Sequence, residues 1–462
     1  MYGSTCFEIM FKMGILRTNL VSINSKLRWA STLKCVGVGA TRKLHIPHFS
    51  FPLIQMQTRV PFLPRISTRC NTFRRLWDLN PIILRDACVC SMCVDPHSGQ
   101  KNFKTSDIPV NIKAESMNLK EDGLHVKWIN EIPGFQSHES VIPLDFIYAV
   151  PYTLSNTSQD APRSWDCRTM QQLLPTLRFD YSQYINQSKT FHKVIKSIRK
   201  WGLVFLNGVP ESEEAVEKIA SRIGPLRNTF YGKTWDVVSV NEAKNVAYTD
   251  KYLGLHQDLL YMENPPGIQF LHCLKNNCKG GESLFCDAFR VAEQLSSSDY
   301  DVLSKEKIGY HYKKAGESYQ RSHPVLEIDP KDQSNAVGRP LPLFVNYSPP
   351  FQAPFALSFR SSTFTKFVQS LGRFAQGVES VENVFKYKLL PGECVIFNNR
   401  RVLHGRECFE AQANERWLKG CYLDSDVFLS CLRYIQMAEI HLRHENLNNL
   451  DSKDASSQSN VT

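Results

Sequence analysis

Two clusters of residues in this sequence could do chemistry. Cys88-Val-Cys90-Ser-Met-Cys93 places three thiols within six residues, and His256-Gln257-Asp258 places an imidazole and a carboxylate two positions apart. Three soft ligands at that density suit one tetrahedral zinc site closed by a more distant side chain, with His97 and His138 as the candidates. A redox pair and three unrelated core cysteines are the rival readings, and the small segment around them needs a staple, which favours zinc. In an extended strand, residues two apart point to the same face. His256 and Asp258 would then meet at one point and, with a later histidine, form a two-His, one-carboxylate set that leaves three positions open on Fe(II). His404, after the strand-like run Cys394 to Phe397, can be that histidine.

Arg416 follows in a run (Trp417, Leu418, Gly420, Cys421, Tyr422) that reads as a core strand. A guanidinium is out of place there unless it meets an anion, and its planar fork matches a carboxylate of a dicarboxylate co-substrate. Tyr231, Trp235, Tyr248 and Tyr422 sit near these elements in sequence. Several rings around one pocket bind a quaternary ammonium by about 0.5–2 kcal/mol each. Taken alone they read as core aromatics.

The elements that must position these residues are legible in part. Phe191, Val194, Ile195 and Ile198 recur at helical spacing before a Gly202 stop and a strand over Leu203 to Leu206. Glu211 to Ile223 reads as a second amphipathic helix, and Phe364, Phe367, Val368, Leu371 and Phe374 share one face of a third. Between them short apolar strands alternate with Gly/Pro turns up to about Leu423, which predicts a mainly β architecture, closed or double-sheeted, decorated by helices. Residues 76–151 form a small domain containing the cysteine cluster and a strand over Leu124 to Trp128. A polar linker separates it from a body over 165–443, and 444–462 reads as a frayed, disordered tail.

With 462 residues, 42% apolar and 22% charged, the chain is a globular protein of two or three domains. Its formal charge of +10 is not spread evenly: twelve basic residues and one acid precede Asp78, and the rest is almost neutral. That distribution removes the electrostatic argument for nucleic-acid binding. Residues 1–75, acid-poor and rich in Arg and Ser, read as a mitochondrial targeting segment, with a disordered basic arm as the alternative. No apolar run reaches the roughly 18 residues of a membrane span. The 14 cysteines lie mostly singly in apolar contexts, so reduced thiols are expected.

Long motifs in order then identify a family. Leu253-Gly-Leu-His256-Gln-Asp258, Pro265-Pro-Gly-Ile-Gln-Phe-Leu-His-Cys273 with Gly280-Gly281, and Asn399-Arg-Arg-Val-Leu-His404-Gly-Arg406 closely resemble the gamma-butyrobetaine and trimethyllysine dioxygenases of carnitine biosynthesis. The run Leu84 to Cys93 is similar to that family's N-terminal zinc-binding domain. The resemblance implies a double-stranded β-helix, with Fe(II) at His256, Asp258 and His404 and 2-oxoglutarate at Arg416 with help from Asn245. It implies structural zinc at Cys88, Cys90, Cys93 and His138, an aromatic cage of Tyr231, Trp235, Tyr248 and Tyr422 for a trimethylammonium substrate, and Asn346 near that substrate's carboxylate end. Dioxygen is the second co-substrate; a need for ascorbate and a homodimeric state stay open at this level. Gln257 stands where animal members carry Thr, and is expected to face away from the metal. Around Asn346 the animal gamma-butyrobetaine enzyme's paired Asn and preceding Arg are missing, which leaves the substrate open; the resemblance makes gamma-butyrobetaine the first expectation, trimethyllysine the second, and a catalytically silent binding protein the third.

Overall fold

The computed structural model describes residues 79–120, 122–143, 146, 161–238, 250–329, 341–355, 361–410 and 416–439. All fall in the compact unit Asn71–Thr462. The basic segment 1–75 and the tail 444–462 therefore lie outside the described residues.

The described residues build two separate apolar cores. The smaller one joins a helix, Pro81–Asp86, to strands β1 (Lys113–Lys120), β2 (Gly123–Ile129) and β3 (Ser140–Ile142), paired antiparallel in that order. Proline opens the helix, where its missing N–H costs nothing, and Asn80 Oδ1 caps it by accepting the Ile82 N–H at 3.0 Å. Leu124, Val126 and Trp128 alternate inward along β2 against Leu84, Phe103 and Ile112, as the sequence predicts.

The body runs through β4 (Arg178–Asp180), β5 (Leu203–Asn207), β6 (Thr234–Val238), β7 (Leu253–His256), β8 (Ile268–Asn276) and β9 (Ser283–Asp287). Two antiparallel pairs follow, β10 (Lys307–Lys314) with β11 (Glu317–Pro324) and β12 (Leu326–Glu327) with β13 (Phe344–Val345). The chain then adds β14 (Val384–Tyr387), β15 (Cys394–Asn398), β16 (Val402–Arg406) and β17 (Arg416–Leu423). Six strands form one sheet in the order β4-β5-β15-β8-β17-β6, and four form another, β14-β9-β16-β7. Apart from the parallel β4–β5 pair, both sheets are antiparallel. They pack face to face: Phe285 of β9 meets Phe205 of β5 and Phe397 of β15 at ring distances of 6.3 and 5.7 Å.

Helices cover the outer face of the larger sheet, which is why β5, β8 and β15 are buried along nearly all their length instead of alternating. The helix Ser188–Trp201 buries Val194, Ile195 and Ile198 and stops at Gly202 in the left-handed region, as its periodicity predicts. The second predicted helix is shorter, Ala215–Ser221. In the third, Ser361–Glu379, Phe367 and Phe374 are fully buried while Val368 is exposed, so the apolar face is narrower than the pattern suggests.

A buried ion pair anchors β16. Arg401, just before that strand, donates from Nε and Nη2 to both oxygens of Asp287 at 2.9 and 2.7 Å, and neither side chain is more than 2% exposed. Asp287 ends β9, accepts the Trp165 N–H at 3.0 Å and caps the next helix. Asp287→Ala is expected to destabilise the chain by about 3–5 kcal/mol, because it strands a buried guanidinium. Urea unfolding checks this; a loss below about 1 kcal/mol, the value of an exposed pair, would contradict it.

Candidate active site

β7 and β16 lie side by side with His256 directly opposite His404, their rings 4.4 Å apart. Asp258 does not sit on the strand, as simple alternation had suggested. β7 ends at His256, and the carboxylate is delivered by the following turn, in which Leu259 adopts a φ of 60°. That left-handed conformation costs a non-glycine residue about 1–2 kcal/mol. Asn399 clamps the turn: its Oδ1 accepts the Asp258 N–H at 2.9 Å, and its Nδ2 donates to the carbonyls of Asp258 and Pro266, each at 3.1 Å. Gln257 faces away, as expected, exchanging hydrogen bonds with the backbone of Tyr347.

The three donor groups converge within 4.8 Å of one another. His256 Nε2 lies 3.3 Å from Asp258 Oδ1, and His404 Nε2 lies 3.7 Å from Oδ2. The His256 Nδ1–H donates to the Gly254 carbonyl at 2.9 Å, which turns Nε2 inward. Burial pushes the Asp258 carboxyl up, but the facing His404 and His256 and the Tyr422 hydroxyl outweigh it and hold the group below the usual carboxylate range. Burial, reinforced by His256, holds His404 well below its ordinary value. Two imidazoles and one carboxylate are the donor set of a facial triad, so these residues fit Fe(II).

The triad forms one wall of a cavity of about 710 Å³, its open mouth included, between the two sheets. Arg416, the first residue of β17, lies on another wall; it is 6% exposed, and its Nε has no hydrogen-bond partner among the described residues. Its guanidinium sits over the Phe409 ring at 5.5 Å, as that of Arg406 does at 4.9 Å. Gly281 closes this socket from below: a Cβ there would come within 3.4 Å of Arg416 Nε and 3.3 Å of Phe409 Cβ. Burial holds the Arg416 pKa below its ordinary value, yet a guanidinium remains charged.

Trp235 and Tyr422 stack in the same cavity at 3.9 Å and 24°. Gly420 lies opposite Trp235 across the β6–β17 ladder, where a Cβ would meet the indole at 2.7 Å, so only glycine admits the stack. Tyr231 lines the cavity beside Phe230, 4.2 Å away, and Tyr261 and Phe351 extend the aromatic wall. Asn245 and Tyr248 lie outside the described residues. Asn346 is fully buried and is not among the residues lining the cavity; its Oδ1 accepts from Arg400 and its Nδ2 donates to the Pro324 carbonyl, both at 2.8 Å. Residue types alone did not single out Gln269, Asn399, Tyr261 or Arg406. The signal available was polarity in an apolar strand, as in Ile268-Gln269-Phe270.

In the small core, Cys88, Cys90, Cys93 and His138 bring their donor atoms within 4.8 Å of one another. His138 Nε2 is 3.3 Å from Cys93 Sγ, and its Nδ1–H donates to the Phe135 carbonyl at 2.7 Å. Three sulfurs and one nitrogen at this spacing fit a closed tetrahedral site. His97 is exposed in the Asp95–Ser98 turn and takes no part.

Residues 168–422 match the taurine catabolism dioxygenase TauD, TfdA family. Among similar proteins, dioxygenase str8 of Strobilurus tenacellus is 37% identical over 74% of this chain and 82% of its own. The gamma-butyrobetaine dioxygenase of Pseudomonas sp. (strain AK-1) is 30% identical over 84% of this chain and 98% of its own. The mitochondrial trimethyllysine dioxygenase of Homo sapiens is 29% identical over 76% and 81%.

The two histidine candidates of the cysteine cluster separate by mutation. His138→Ala is expected to reduce bound metal and lower the melting temperature, whereas His97→Ala leaves both unchanged, as read by metal analysis and calorimetry. Equal losses in both variants would contradict the assignment.

Proposed function

The chain belongs to the taurine catabolism dioxygenase TauD, TfdA family and is a 2-oxoglutarate-dependent dioxygenase, and from that premise we propose that it hydroxylates a small trimethylammonium substrate. Gamma-butyrobetaine, giving L-carnitine, is the first choice and trimethyllysine the second. One observation carries the reading: the His256, Asp258, His404 triad shares a cavity with a buried arginine and a stacked aromatic pair.

Fe(II) held by the triad would supply the oxidising chemistry, coupling decarboxylation of 2-oxoglutarate to succinate with insertion of one oxygen atom into a substrate C–H bond. The chain's own residues do the rest. Arg416, backed by Phe409, would grip the far carboxylate of 2-oxoglutarate through its planar fork. Tyr231, Trp235 and Tyr422 would present π faces to the ammonium, at about 0.5–2 kcal/mol per ring in a dry site. The apolar wall of Leu253, Leu271 and Leu418 excludes water from the reacting centre. The fold is read as a double-stranded β-helix, and Cys88, Cys90, Cys93 and His138 as a structural zinc site. The basic segment before Asp78 is read as a mitochondrial address.

The test is succinate release by purified, Fe(II)-loaded protein with 2-oxoglutarate and gamma-butyrobetaine, trimethyllysine or neither. Turnover stimulated by one of the two is expected, and His404→Ala should abolish it at an unchanged melting temperature. No stimulation by either in iron-replete protein would move the reading to another quaternary amine or to a silent binding protein; full activity in His404→Ala would remove the triad.

A further inference from the structure

The two oxygens of Asp258 are used differently. Oδ2 accepts hydrogen bonds from Gln269 Nε2 at 2.8 Å and from the Tyr422 hydroxyl at 2.7 Å, which occupies both of its lone-pair directions. Oδ1 receives neither and lies 3.3 Å from His256 Nε2, nearer than Oδ2 lies to His404 Nε2, 3.7 Å. The two donors stand at one register position, Tyr422 of β17 directly opposite Gln269 of β8, so the pleat aims both side chains at the same carboxylate. Each is at most 2% exposed. The Tyr422 ring is at the same time half of the stacked pair facing the cavity.

We infer that Tyr422 is a positioning residue that joins the aromatic wall to the metal centre: its hydroxyl, with Gln269, holds Oδ2 so that Asp258 binds the metal through Oδ1 alone. The inference rests on the metal-centre reading above. An octahedral ion held by two imidazoles and one carboxylate oxygen keeps three positions open, two for a chelating 2-oxoacid and one for dioxygen. A carboxylate binding through both oxygens would fill one of the three. The ring that would contact the substrate cation thus belongs to the residue that sets how many positions the metal offers.

Tyr422→Phe keeps the ring and deletes the hydroxyl; Gln269→Leu deletes the other donor. Mn(II) is the probe for the triad, because a hard ion does not compete for the thiolates of the cysteine cluster; its free concentration is read by electron paramagnetic resonance. Tetramethylammonium, titrated calorimetrically into zinc-replete protein without Mn(II), is the probe for the aromatic wall. Each variant is expected to bind Mn(II) about tenfold more weakly, the usual effect of losing a partner of a metal-binding group. The double variant should lose less than the product of the single losses, since both bonds end on one oxygen. Tetramethylammonium affinity of Tyr422→Phe should stay within about twofold of the wild type, because the π face remains. Unchanged Mn(II) affinity in Tyr422→Phe, or equal weakening of both probes, would overturn the inference; if that variant does not fold, Gln269→Leu decides by the same Mn(II) reading. A wild-type chain that binds no Mn(II) would instead overturn the metal-centre reading, and the inference with it.

Discussion

Everything at the cavity depends on the register between β16 and β7. His404 faces His256 across that ladder, and because side chains alternate with period two, a slip of one residue would send His404 to the opposite face of the sheet. Short strands do not fix register by themselves. Here β16 is locked on its other side by five paired residues of β9, from Val402 opposite Asp287 to Arg406 opposite Ser283. The Arg401–Asp287 pair fixes the point at which that ladder begins. A charge pair outside the cavity's lining therefore helps to set which way an imidazole points.

The labour divides between the sheets. The smaller sheet and the turn after β7 carry the triad; the larger carries Arg416, Tyr422 and Gln269 on β17 and β8. Neither sheet holds a site alone, so the chemistry exists only when the two are packed, and the core contact of Phe285 with Phe205 and Phe397 serves the cavity as much as stability. Trp235, by contrast, lies on β6 at the edge of its sheet, and Tyr231 in the loop before it. Groups that recognise a substrate can vary there at less cost than groups that bind a metal on paired inner strands.

Much of this was legible in residue types. The triad, the arginine and the cysteine cluster each show unusual chemistry at a telling spacing, and the helix Ser188–Trp201 shows in its periodicity. What was not legible is what depends on partners far along the chain. Period-two alternation ends with β7 at His256, and Asp258 owes its position to Asn399, 141 residues away. The left-handed Leu259 carries no mark, because such a conformation is normally written with Gly or Asn. His97 is nearer than His138 to the cysteines in sequence and was equally eligible by type, but only His138 comes to Cys93, 45 residues distant. Nothing in the type of Asn346 announces Arg400 and Pro324, 54 and 22 residues away, as the partners of its amide.

The contact between Gly420 and Trp235 reaches beyond this molecule. Since any Cβ at that position would overlap the indole, the missing side chain is a mould of the ring it admits, one strand away from it. A related sequence with a larger residue there has given up the stack whatever it carries at the tryptophan's own position. The absence of the aromatic pair can thus be read from a position outside the cavity's lining.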